Sequence, residues 1–166
     1  MADAERLQLL EDREEIRQIF VDYARFLDSG DHAGYASLFA SDGVLSAQLG
    51  DAVGPAAIEA ILDENLGPQA RGHLPEAIHV MANHDIAVDG DTATATVVWF
   101  YLTADADGEG TVLQGGRYRD ELVRENGRWK IKRHEISRTF GRSPMADPPS
   151  TRLDALAARV EALEQR

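Results

Sequence analysis

The chain has 166 residues, 17 lysines and arginines against 29 aspartates and glutamates, a formal charge of −12 and no cysteine. A chain of this length buries roughly 70% of the surface its unfolded form exposes, so one domain holds together without disulfide or metal staples. The missing thiol excludes disulfide frameworks, Cys-ligated zinc, iron–sulfur centres and cysteine nucleophiles. Strong acidity without a basic arm argues against nucleic acid or an anionic membrane as the main partner. The N-terminus, Met1 to Arg6, is acidic where a secretory signal needs a basic start. The longest strongly apolar stretch, Val97 to Leu102, falls far short of the ~20 residues of a membrane span. These features predict a cytoplasmic protein.

Between Leu7 and Asp28 the apolar residues Ile16, Ile19, Phe20, Tyr23, Phe26 and Leu27 have the three-and-four spacing of a helix that lays one stripe on a core, and Ser29-Gly30 ends it. Asp31 is placed to cap a second helix, His32 to Ala40, by accepting from its first-turn amides. Ser41-Asp42-Gly43 breaks the chain, Val44 to Leu49 reads as a short strand, and Gly54-Pro55 precedes a third helix, Ala56 to Leu66, stopped by Gly67-Pro68. Strands follow: Ala77 to Val88 and Thr92 to Thr103 around Asp89-Gly90, then Thr111 to Arg124 and Trp129 to Thr139 around Asn126-Gly127, two hairpin signals of the same chemistry.

The acidic connection Ala104 to Gly110 carries Asp105, Asp107 and Glu109 but lacks the spacing and helices of an EF-hand, so it reads as a solvated hairpin loop. Ser143 to Pro149 reads as a linker, and Thr151 with Asp154 resembles a capping box. Leu153, Leu156, Val160 and Leu163 follow an a/d spacing, on a helix too short to stand alone. It docks either on its own domain or on a neighbouring subunit. Helices ahead of an antiparallel meander predict an α+β fold whose helices close one side of the sheet around a pocket. Residues 1–142 form that domain, and 143–166 the linker and C-terminal amphipathic helix.

Phosphate-loop, dinucleotide, H-E-x-x-H and G-x-S-x-G motifs are absent from the sequence, so nucleotide, zincin and serine-hydrolase chemistry lose support. Asp28 closes the first helix, where the dipole disfavours a carboxylate, and unlike Asp31 it has no capping job. It is either an exposed turn residue or an acid that holds an imidazolium or acts as a base. His79 and His84 are five apart, so a regular strand sends them to opposite faces and a joint His73/His79/His84 metal site is not expected; a bulge near Asn83 would undo that argument.

In the last strand Trp129, Ile131 and Arg133 share one face, and Lys130, Lys132 and His134 the other, so parity predicts Arg133 inward and His134 exposed. An inward guanidinium is either paired internally, with Glu135 or Asp120, or meets an anion. Trp99 and Tyr101 share a face, as do Tyr118 and Asp120, and the aromatic residues are either core or substrate contacts. Tyr23 lies on the apolar stripe and needs a partner for its hydroxyl if buried.

Arg13-Glu-Glu-Ile-Arg-Gln-Ile, Tyr23-Ala-Arg-Phe-Leu-Asp28-Ser-Gly-Asp31, Leu38-Phe39-Ala-Ser-Asp42-Gly43 and Gly54-Pro55-Ala-Ala-Ile58 resemble the helical half of SnoaL-like proteins. His79, Val88-Asp-Gly-Asp-Thr-Ala-Thr94, Gly116-Arg-Tyr118-Arg-Asp120 and Asn126-Gly-Arg-Trp129-Lys-Ile131-Lys-Arg133 resemble its sheet half. The resemblance places the chain with nuclear transport factor 2, ketosteroid isomerase and scytalone dehydratase. It implies a cone-shaped α+β barrel in which N-terminal helices pack on a curved, mostly antiparallel sheet around a cavity.

Scytalone dehydratase and hexachlorocyclohexane dehydrochlorinase use an Asp-His dyad, and the matching positions are Asp28 and His79. Arg133 matches a strand arginine that assists in the dehydrochlorinase. Tyr23, five residues before Asp28, matches a tyrosine of bile-acid dehydratases. No second histidine like that of scytalone dehydratase lies between Thr92 and Tyr101.

The resemblance thus implies a cofactor-independent, dehydratase-like lyase or isomerase of a small hydrophobic or ring-containing molecule, with no metal. His79 and Asp28 act as acid/base, Tyr23 and Arg133 assist, and Trp99, Tyr101 and Tyr118 contact the substrate. The alternatives are a polyketide-cyclase-type enzyme, with the aspartate as acid/base, and a non-catalytic binding or assembly protein. It also implies a homo-oligomer, a dimer or trimer.

Overall fold

The computed structural model describes residues 3–47, 50–66, 78–104 and 108–141. The elements are α1 (Asp3–Ser29), α2 (His32–Ala36), β1 (Phe39–Ala47), β2 (Gly50–Val53), α3 (Pro55–Leu66), β3 (Ile78–Asp89), β4 (Thr92–Ala104), β5 (Gly110–Glu125) and β6 (Arg128–Gly141). The strands form one open, curved sheet in the order β2-β1-β6-β5-β4-β3. Neighbours are antiparallel except β1 and β6, which run parallel. This is the α+β architecture expected. Helix α2 is shorter than the expected His32 to Ala40, because Phe39 and Ala40 leave it to begin β1, and β2 was not expected at all. The linker, the a/d stripe of 143–166, His73 and the acids Asp105 and Asp107 lie outside the described residues. Among the described residues no helix is long and apolar enough to cross a membrane.

Local chemistry explains the boundaries. Asp31 caps α2 by accepting from Gly34 N at 2.7 Å. Asn126 and Gly127 both have positive φ, 53° and 77°, as the two central residues of a tight hairpin require. The stripe of α1 delivers Ile16, Ile19, Phe20 and Tyr23 into a core shared with Val97, Leu122 and Ile131.

Helix α1 is pinned near one end by Asp12. Its carboxylate accepts from Gln8 Nε2 at 3.0 Å, Arg124 Nη2 at 2.6 Å and Trp129 Nε1 at 3.2 Å. Burial alone would push that carboxyl up, but these hydrogen bonds outweigh it and hold it below its ordinary value. Asp28, about 24 Å farther along the helix, pins the other end.

Two β-bulges decide which residues face the helices. In the β3–β4 pairing Ala82 opposes Val98 and Asp85 opposes Thr96, so β3 carries one extra residue, and Asn83 sits there with φ 50°. His79 and His84 therefore share the concave face, contrary to the regular-strand expectation. In β5–β6, Leu122 opposes Ile131 and Glu121 opposes Arg133, leaving Lys132 as the extra residue. The inward series is then Trp129, Ile131, His134. Parity carried past that bulge was wrong for two residues: Arg133 faces outward, and His134 is buried completely.

Candidate functional site

Asp28 reaches from the last turn of α1 to the first residues of β3. Its carboxylate accepts the backbone N–H of His79 through both oxygens, each at 3.1 Å, and lies 2.6 Å from His79 Nδ1. This is the job the sequence could not supply for Asp28: it fixes both the backbone and the ring of one histidine. Both side chains are part-buried. A carboxylate at Nδ1 selects the tautomer with its proton there and leaves Nε2 as the basic nitrogen.

The sheet supplies the surroundings. Tyr101 is the cross-strand partner of His79, with ring centroids 4.7 Å apart. Trp99 is two residues along the same face of β4, hence a diagonal neighbour of His79. Its ring stacks on Tyr118 at 5.4 Å and 13°, and its buried Nε1 finds no hydrogen-bond partner among the described residues. Trp99, Tyr101 and Tyr118 thus share the concave face with the dyad.

Tyr23 is placed differently. Its hydroxyl is hydrogen-bonded to those of Tyr118 and Tyr35, and burial pushes its phenol up to about 12. Burial, then the neighbouring phenols and Asp120, hold Tyr35 and Tyr118 well above the usual value too; Asp28 adds to the effect on Tyr118. These three hydroxyls remain protonated donors across the physiological range. Folding therefore favours their protonated forms: the stability they contribute is complete below about pH 10 and is lost as pH rises toward 12 and beyond. Phenolate absorbance should show these tyrosines ionising late in the native protein and near pH 10 in urea. Coincident titrations would contradict the buried cluster.

Arg133 is not part of this site. Its side chain is 42% exposed and Nε donates to Glu135 at 2.9 Å on the outer face; Glu135 was considered as the partner of an inward guanidinium, but the pair lies at the surface. The structure instead brings in residues that sequence reasoning missed. His134 Nδ1 lies 2.6 Å from Asp120 Oδ1, with both side chains 0% exposed. The His134 ring packs against Tyr118 at 4.6 Å and Tyr23 at 5.2 Å. Its Nε2 and the Oδ2 of Asp120 have no partner among the described residues. The only sequence signal was Asp120 sharing a face with Tyr118; the bulge at Lys132 hid the histidine. A third pair, His32 Nδ1 with Asp63 Oδ1 at 2.7 Å, ties α2 to α3. His84 packs on Phe20 at 5.5 Å, and burial with Arg17 nearby pushes its pKa below the ordinary value. No group of three or more His, Asp or Glu placed to hold a metal occurs among the described residues.

Comparison with known proteins places the fold. Residues 8–135 match the SnoaL-like domain family. An uncharacterized protein of Mycobacterium tuberculosis is 29% identical over 132 residues, 79% of this chain and 88% of that one. Among solved structures, an NTF2-like protein with a cystatin-like fold from Novosphingobium aromaticivorans is similar at TM-score 0.72 and 30% identity, over 86% of this chain and 92% of that chain. A Catenulispora acidiphila protein in complex with S-DNPA is similar at TM-score 0.63 and 26% identity, over 76% and 92%.

Proposed function

The chain belongs to the SnoaL-like domain family, and on that premise we propose that it is a cofactor-independent lyase or isomerase of a small hydrophobic or ring-containing molecule, with His79 as its base. The observation that carries this reading is the grip of Asp28 on both the ring and the backbone of His79. Nε2 removes a proton from carbon, and Asp28 stabilises the imidazolium that results. The charge that develops on the substrate needs a donor. Tyr23 is committed to Tyr35 and Tyr118, and Arg133 lies outside, so Trp99 Nε1 takes that role in place of the two residues suggested by resemblance. The aromatic faces of Trp99, Tyr101 and Tyr118 suit a flat apolar ring. The S-DNPA complex of the Catenulispora relative supports a small-molecule ligand.

The test is proton exchange in D2O. A panel of hydroxylated and ketonic ring compounds is incubated with the protein and followed by NMR for deuterium gain at one carbon or for conversion. The wild type should exchange or convert at least one compound, and His79→Gln should not. If His79→Gln and Asp28→Asn both keep full activity, the base is elsewhere. A second reading, non-catalytic binding, is favoured by the commitment of Tyr23 to structural hydrogen bonds. It predicts compounds that bind with no exchange at any carbon.

A further inference from the structure

The outer face of the sheet is divided in two by the register. At the hairpin end it carries Asp85, Arg119, Glu121, Arg133 and Glu135. At the other end two adjacent rows of outward residues are apolar across four strands. One row runs Ile78, Leu102, Val112, and the next Val80, Phe100, Gly115, Phe140. Ile78, Val112 and Phe140 are 52%, 50% and 46% exposed. Gly115 belongs to the construction: a Cβ there would lie 2.8 Å from both Phe100 and Phe140, so its absence lets the two rings close over the backbone at 6.3 Å. A contiguous apolar band of this kind on an outer face marks a contact surface.

We propose that residues 151–163 of the same chain lie across this band. The inference is independent of the catalytic reading. The last described strand ends at the β6 corner of the band: Phe140 belongs to it, and Gly141, with φ 86°, turns the chain there. Residues 142–150 reach about 30 Å when extended, enough to bring Thr151 onto any of the four strands. The band measures about 14 Å between its outermost strand axes. On the helix that the sequence spacing predicts, Leu153 to Leu163 span about 15 Å. Leu153, Leu156, Val160 and Leu163 thus match the band in both character and length. So short a helix needs an apolar surface to form at all.

The absence of cysteine makes the test unambiguous, since any disulfide must involve introduced thiols. Full-length Val112→Cys/Leu156→Cys and Ile78→Cys/Val160→Cys are oxidised mildly and run on non-reducing gels, with Leu153→Cys as an alternative second position to cover register. Hydrogen exchange of residues 151–163 is measured in parallel, with and without Val112→Asp. The expected result is a disulfide within one chain for at least one pair, and backbone protection that Val112→Asp reduces tenfold or more. Disulfides only between chains would assign the band to a second copy and overturn the proposal. So would the absence of cross-links in all pairs, or protection insensitive to Val112→Asp.

Discussion

Asp28→Asn should lower turnover by about 10²–10⁴-fold while leaving the fold intact, because a positioned general base contributes about that much. The amide keeps an oxygen for the His79 backbone N–H, so the start of β3 stays attached to α1. What it loses is charge and direction. An asparagine can present its NH2 to Nδ1, which moves the ring proton to Nε2 and removes the lone pair the reaction needs. His79→Gln should cost at least as much, and in His79→Gly free imidazole should restore part of the rate. Initial rates on whichever compound exchanges, together with thermal midpoints, check both halves. A rate within threefold of wild type in both Asp28→Asn and His79→Gln would remove the dyad from the mechanism.

The largest stability effect is expected away from that dyad. Asp120→Ala leaves the ring N–H of fully buried His134 without its acceptor, and an unsatisfied buried donor costs about 1–3 kcal/mol. For a chain of this size that corresponds to a fall of about 2–12 °C in Tm. Removing both partners at once, in Asp120→Leu/His134→Leu, should recover most of the loss, because no unpaired polar group remains. Arg133→Ala, by contrast, breaks an exposed contact with Glu135 and should leave the urea midpoint unchanged. Equal destabilisation by Asp120→Ala and Arg133→Ala would contradict the inward and outward assignments in β6.

Most of the architecture was legible because it is written in local chemistry. The stripe from Ile16 to Leu27, the Asp31 cap, Gly54-Pro55 and the two X-Gly turns each act within a few residues, and their elements appear within a few positions of where those signals place them. The strand β2 was missed because Gly50–Val53 is four residues long and becomes a strand only by pairing with β1. The site was half legible. Asp28 stood out because a carboxylate against the helix dipole needs a reason, and resemblance supplied His79. His134 and Arg133 were exchanged because parity assumes an uninterrupted ladder, and the residue that breaks it, Lys132, carries no mark of its own in the sequence. Asn83 does carry one, as a residue that tolerates positive φ, and there the possibility of a bulge could be read in advance.

The extra residue at Lys132 also bears on kinship. In an unbroken strand, two chains aligned residue for residue present corresponding side chains to the same side. Where one relative has the bulge and another lacks it, a gapless alignment pairs a surface residue of the first with an interior residue of the second for the rest of the strand. If the bulge were ironed out with Lys132 taken into a regular ladder, the guanidinium now paired with Glu135 would turn toward the tyrosines and the imidazole held by Asp120 would be expelled, without any side chain being replaced. Related proteins can thus differ in what lines their interior through a change of register alone.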